Sequence, residues 1–295
     1  MAIHAARPVA ATRPRRRSPL RPLRILYYLV SGLLALVFLF PLAWSALSSI
    51  KPPDEAQAAP PTFLPTHISW DNFISLAGSG AGIVHYSLNS VLVTAGTVVG
   101  TIILSTMGGY GFSRFSFRGK TLMFVVILST LMIPFQSIVT PLFLVLHYIH
   151  LQNTLVGLIL VYITFQLPFA IFMMRNTFDN VPPELEEAGL IDGCSSASLL
   201  YHVMLPIVRP GLITVALFAF FAAWNEFLAA LIFMTDSDKF TLPVVLLNAQ
   251  SGAFGTINPG AVQAGVVIAM APAVVIFLLL QRYYISGLVA GAVKA

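Results

Sequence analysis

Charge is scarce in this chain. Asp, Glu, Lys and Arg together make up 9% of its 295 residues, against roughly a quarter in a soluble domain. With 57% hydrophobic residues and a mean hydropathy of +0.86, the chain cannot cover itself with a solvated surface, which excludes a soluble globular domain. Cysteine is almost absent: Cys194 is alone, so no internal disulfide framework is possible, and a small filler thiol on the reducing side of a membrane is the simplest reading. Nucleotide and metal signatures are missing as well. Gly119-Lys120-Thr121 looks like the end of a phosphate-binding loop, but the required earlier glycine is replaced by Arg114, and no strand precedes it. His4, His67, His85, His147, His150 and His202 form no zinc-binding pair on one membrane or cytoplasmic helix; His147 and His150 are three apart without a third ligand nearby. No G-x-S-x-G or H-E-x-x-H motif occurs. No catalytic residue, metal site or cofactor of its own is expected.

What the chain does have is long apolar runs. A bilayer core about 30 Å thick takes roughly 20 apolar residues per helix. Windows 25–50, 86–112, 121–146, 154–174 and 261–281 carry no Asp, Glu, Lys or Arg, and 211–234 carries only Glu226. These predict an all-α membrane protein with six transmembrane helices. A transmembrane barrel is disfavoured, because the runs are continuous rather than alternating. No repeat relates the two halves of the chain, which weakens an inverted-repeat secondary transporter.

The basic residues orient the spans. Arg7, Arg13, Arg15, Arg16, Arg17, Arg21 and Arg24 crowd into residues 1–24, a stretch too poor in apolar residues to form a core and expected to be a disordered cytoplasmic tail. The following run is too long for the apolar core of a cleavable signal peptide. Arg114, Arg118, Lys120, Arg175, Arg209, Arg282 and Lys294 then fall on the same side, leaving Lys51 and Lys239 opposite. The positive-inside rule therefore predicts both termini in the cytoplasm, and it explains the net charge of +5 without nucleic acid. Outer connections fall at 51–85, with a small helix near Trp70-Asp71-Asn72-Phe73, at 147–153, a tight turn, and at 235–260, whose polar, glycine-bearing composition suits contact with another protein.

A polar interruption at 175–210 separates the fourth and fifth spans and holds Glu184, Glu186, Glu187 and Asp192. Pro182 and Pro183 suit a helix start, and the glutamates after them complement its dipole. Leu185, Ala188, Gly189 and Asp192 share helical spacing, Gly193 permits a stop, and Ser195 or Ser196 caps a second helix ending near Pro206. Within the spans, Asn89, Gln136, Gln166 and Asn225 are polar, Pro134, Pro141, Pro168 and Pro272 disturb the helices, and Glu226 is the one formal charge. A carboxylate there requires a partner, a water-filled cavity or protonation. Both a place on a polar pathway and a purely interhelical hydrogen bond stay open for it.

Glu187-Ala188-Gly189, Gly193, then Val203, Leu205 and Pro206 nine residues on, resemble the E-A-A-x-x-x-G-x9-I-x-L-P loop of ABC-importer permeases. Gly189 departs from the second alanine, at a cost of about 1 kcal/mol in helix propensity, and Val203 departs from isoleucine. Asn89-Ser90, Thr130-Leu131-Met132-Ile133-Pro134, Trp224-Asn225-Glu226-Phe227, Gln281-Arg282-Tyr283 and the closing Gly287 to Lys294 resemble the carbohydrate-importer branch, most of all the second permease of maltose-type systems. The resemblance covers nearly all of the chain from the first span onward.

It implies the type I ABC-importer permease fold in a bacterial-type cell membrane. It also implies a heterodimer with a second homologous permease, two ABC ATPase subunits that hold the ATP and magnesium, an extracytoplasmic solute-binding protein and a sugar substrate. Glu184, Glu187, Ala188, Gly189, Asp192, Gly193, Val203, Leu205 and Pro206 would then couple to the ATPases, the outer connection 235–260 would meet the binding protein, and Asn89, Gln136, Asn225 and Glu226 are the candidates for the substrate pathway. A non-sugar solute such as a glycerophosphodiester, and an ion-coupled secondary transporter, stand as alternatives.

Overall fold

The computed structural model describes residues 21–252 and 257–292. Most of the expected basic tail, residues 253–256 of the third outer connection and the last three residues lie outside that range. The chain divides into two compact units at the junction of Trp44 and Ser45. In the first, α1 (Arg21–Ser49) begins, with Pro41 inside it; its window from Leu23 to Ser49 has a mean hydropathy of 2.3.

The second unit opens with two short helices, α2 (Pro53–Ala56) and α3 (Asp71–Ala77), and continues into the long α4 (Ile83–Arg114). Next come α5 (Lys120–Ser129), a 3-10 turn at Thr130–Met132, α6 (Phe135–Tyr148) and α7 (Leu155–Asp179). A hairpin follows, made of α8 (Pro183–Ile191), α9 (Ser196–Leu199), a π-helical turn at Leu200–Met204 and α10 (Leu205–Ile207). The chain ends through α11 (Arg209–Trp224), α12 (Leu228–Phe233), α13 (Leu242–Gln250) and α14 (Pro259–Ala292). Every regular element among the described residues is helical.

Among the described residues four helices are long and apolar enough to cross a membrane: Leu23–Ser49, Ile83–Arg114, Leu155–Asp179 and Pro259–Gln281. Two bent pairs bring the number to as many as six if each is one span. The expected third span is the sharper case, bending by 105° between Lys120–Met132 and Phe135–Tyr148. Its cause is Pro134, which forces Ile133 into the extended region at ψ 117° and lacks the amide that would continue the helix. The other prolines singled out from sequence act differently: Pro141, Pro168 and Pro272 lie inside continuous helices.

The expected fifth span is also discontinuous. The second pair bends by 80° at Val208, between the hairpin and α11. Farther on, α11 stops at Trp224, after 16 residues or about 24 Å, and the helix resumes only at Leu228.

Around α4 and α7 the helices pack closely. A Cβ at Gly96 would lie 2.8 Å from Ile159, and one at Gly109 would lie 2.9 Å from the backbone of Met174. Lipid offers apolar side chains as good a solvent as another helix, so close backbone approach through small residues is what favours such a contact. At the hairpin end Tyr110, Met174, Phe178, Leu199, Met204 and Val215 form one buried cluster. At the other end Val93, Leu158, Tyr162, Phe233 and Val244 form a second.

Candidate functional site

The hairpin is built by local rules and then fastened by long-range ones. Pro183 occupies the first turn of α8 with Glu184 and Glu186 beside it. Gly193 takes φ +83°, a left-handed conformation that glycine adopts without steric cost, and the chain reverses there. Ser195 is the cap of α9: its side chain accepts the amide of Ser198 at 3.3 Å.

Of the three glutamates, Glu186 turns inward. The Tyr110 hydroxyl donates to its Oε1 at 2.8 Å, and Arg114 Nε lies 3.0 Å from its Oε2. Arg114 also donates to the carbonyl oxygens of Phe178 at 3.0 Å and Val181 at 2.7 Å, so a single guanidinium fastens the ends of α4 and α7 to α8. Glu184, Glu187, Ala188 and Asp192 remain exposed beside Leu190 and Ile191, the latter 86% exposed. Gly189 is buried, and a Cβ there would lie 3.1 Å from the Cδ1 methyl of Leu199, so the alanine of the motif would need that side chain to shift slightly. Val203 and Leu205 are half-buried and Pro206 is exposed.

A second site surrounds Glu226. The helix breaks over Asn225–Phe227, which leaves the first amides of α12 without helical partners. Glu226 supplies them: Oε1 accepts from Ala229 N at 2.8 Å, and Oε2 accepts from Ala230 N at 3.2 Å and from the Tyr162 hydroxyl at 2.5 Å. Its partners are therefore a phenol and two amides. Thr97, Tyr162, Gln166, Ala223 and Glu226 line a small cavity of about 70 Å³ at this point. Asn225, the next residue back, is exposed.

Asn89 and Gln136 are not in the lining of that cavity. Asn89 is 6% exposed and spends its amide on the carbonyls of Asp238 at 2.7 Å and Phe240 at 3.1 Å. Together with Ser90, whose hydroxyl accepts Leu242 N at 2.7 Å, it ties the start of α4 to the connection before α13. Gln136 is exposed, in the first turn of α6 two residues after Pro134. Sequence reasoning missed Glu186, Tyr110, Arg114 and Tyr162. The one available signal was Tyr110 and Arg114, a polar pair spaced i, i+4 on one helix face just where an apolar run ends.

The long apolar helices and bent pairs are those of a membrane protein by length and composition, and the chain belongs to the family described as the binding-protein-dependent transport system inner membrane component, whose pattern matches residues 96–288. It is a multi-pass ABC-importer permease subunit, as the loop motif implied. The chain is 35% identical to the probable ABC transporter permease protein YurM of Bacillus subtilis over 96% of this chain and 92% of that one. It is also 35% identical to the diacetylchitobiose uptake system permease protein NgcG of Streptomyces coelicolor, over 84% and 82%. With the trehalose/maltose transport system permease protein MalG of Thermococcus litoralis it shares 34%, over 92% and 97%. Among solved structures, a chain of a bacterial ABC transporter involved in the import of the acidic polysaccharide alginate has the same fold. It aligns with a TM-score of 0.78 at 22% identity, over 90% of this chain and all of that one.

Proposed function

We propose that this chain is one half of the translocation pathway of an ATP-driven sugar importer, with an oligosaccharide as the favoured cargo. It crosses the membrane six times, keeps both termini in the cytoplasm and pairs with a second homologous permease. Two ABC ATPase subunits hold the nucleotide and magnesium and seat the hairpin from the cytoplasmic side. An extracytoplasmic solute-binding protein delivers the sugar at the outer connections, where 235–260 is the designated contact. Relatives whose names refer to diacetylchitobiose and to trehalose/maltose support the sugar reading.

The observation that carries this reading is the division of labour in α8. Glu186 binds the helix to its own subunit, while Glu184, Glu187, Ala188, Ile191 and Asp192 stay exposed for another one. A lever needs both a rigid attachment and a free face. Glu187→Lys should leave membrane insertion intact and detach or uncouple the ATPase, because it reverses charge on the free face. Gly193→Leu should do the same by blocking the left-handed turn. Affinity purification of the permease with its ATPase, together with ATP hydrolysis stimulated by the binding protein, measures both. Wild-type ATPase recovery and stimulation in the two variants would remove the hairpin from the coupling role.

A further inference from the structure

The break between α11 and α12 divides its tasks among consecutive side chains. Trp224, 5% exposed, donates Nε1 to Ala269 O at 2.9 Å and fixes one side of the break on α14. Glu226 is consumed by its neighbours, with both carboxylate oxygens already accepting from Ala229 N, Ala230 N and the Tyr162 hydroxyl. Asn225 is the opposite case. Its Nδ2 donates to Phe221 O at 2.9 Å, which closes the end of α11, while the side chain as a whole is exposed.

An amide on the surface of an apolar helix is costly against lipid and belongs against water, a solute or a polar partner. Below Asn225 the same face of α11 runs through Ala222 and Phe218, both exposed. One uncharged amide above an apolar and aromatic face suits a neutral, polyhydroxylated solute: the amide exchanges hydrogen bonds with hydroxyls, and the rings accept the apolar faces of sugar rings. A carboxylate in the same place would impose a charge, and the carboxylate of this break already accepts from Ala229 N, Ala230 N and the Tyr162 hydroxyl.

We infer that Asn225 is the residue of this break that meets the passing solute, and that Glu226 and Tyr162 are positioning residues that hold it there without touching the solute. This rests on the reading of the chain as a sugar permease, and the test separates the two. Cys194 is the only native thiol, so Cys194→Ser gives a clean background. In membrane vesicles holding the assembled importer, Asn225→Cys should react with a membrane-impermeant maleimide, applied to both faces, at least tenfold faster than Ala223→Cys, whose native side chain is 7% exposed.

Adding Tyr162→Phe or Glu226→Gln should change the Asn225→Cys rate at least threefold and leave Ser237→Cys, on an exposed outer turn, unchanged. A lesion that merely destabilised the subunit would move both rates together. In uptake assays Asn225→Asp should raise the half-saturating sugar concentration at least fivefold with little change in maximal rate. Equal reactivity of Asn225→Cys and Ala223→Cys, or a positioning variant that leaves the Asn225→Cys rate unaltered, overturns the inference. A reactive Asn225→Cys in an importer that takes up no sugar supports the pathway assignment and sinks the sugar reading instead.

Discussion

Glu186 and Glu226 are held alike and differently. Glu186 lies in the first turn of α8 and Glu226 in the break before α12, and each accepts a tyrosine hydroxyl from a neighbouring helix, Tyr110 in one case and Tyr162 in the other. Glu186 also has a cation, Arg114 Nε, at 3.0 Å, and that cation reaches two further carbonyls. Glu226 adds only the amides of Ala229 and Ala230. An ion pair with auxiliary hydrogen bonds fixes three elements to one another and acts as a lock. A carboxylate on the first amides of a helix fixes one helix start and acts as a cap. The hairpin is thus bound rigidly to α4 and α7, whereas on its other side a π-helical turn and an 80° bend lead into α11. If the ATPases move the hairpin as proposed, α4 and α7 would follow it through this lock, and the bend at Val208 would take up what α11 does not follow.

The largest effect should come from breaking the lock. Arg114→Leu leaves Glu186 mostly buried without its counter-charge and removes the tie to Phe178 and Val181, a loss of about 3 kcal/mol or more. Thermal unfolding of the detergent-solubilised subunit and limited proteolysis of 182–208 measure it. The double variant Arg114→Leu with Glu186→Leu should recover part of the loss, since no unpaired charge remains. Equal instability of the single and double variants would mean the pair is no lock.

Tyrosine deletion sharpens the contrast. Tyr162→Phe removes one of three donors from a glutamate with no cation and should cost about 2 kcal/mol, as for hydrogen bonds to charged groups. Tyr110→Phe should cost less, about 1 kcal/mol, because Arg114 remains on Glu186. A reversed order would show that the cap is stronger than the lock. Gly193→Ala should cost about as much as Tyr110→Phe. At φ +83° an alanine is strained by roughly 1 kcal/mol or slightly more, and Gly193→Asn should recover some of it, measurable as hydrogen exchange in α8 and α9.

Much of this was legible in the residues. The apolar windows locate the long helices, Pro134 marks a real break, and the glycine and serine of the hairpin place its turn and cap correctly. Elsewhere the cause lies in tertiary partners. Nothing in Glu184, Glu186 and Glu187 says which one turns inward, because Tyr110 and Arg114 decide it from 72 or more residues away. Trp224-Asn225-Glu226-Phe227 stood out for its charge but not as a break, since it holds neither proline nor glycine and its interruption depends on Tyr162 and on α14. Asn89 read as a polar group in a span, but its partners lie on a connection about 150 residues later in the chain.

Glu55 supplies a third comparison and the smallest expected effect. It too is held by hydroxyls: Thr62 donates to Oε1 at 2.6 Å, and the Thr66 hydroxyl and amide donate to Oε2 at 2.9 and 3.0 Å. Unlike the other two it lies in the short α2, outside the long apolar helices and only half-buried. The Thr62 hydrogen bond, followed by those from Thr66, holds its pKa below the ordinary glutamate value of 4.5. A carboxyl whose folded pKa is depressed stabilises the fold above its unfolded pKa and loses that contribution as pH falls through the folded value. Local opening of residues 53–68, followed by hydrogen exchange, should therefore increase on acidification below about pH 4.5, and Glu55→Gln should abolish the pH dependence while adding slight opening at neutral pH. An unchanged acid response in Glu55→Gln would mean that Glu55 does not govern the opening of this segment.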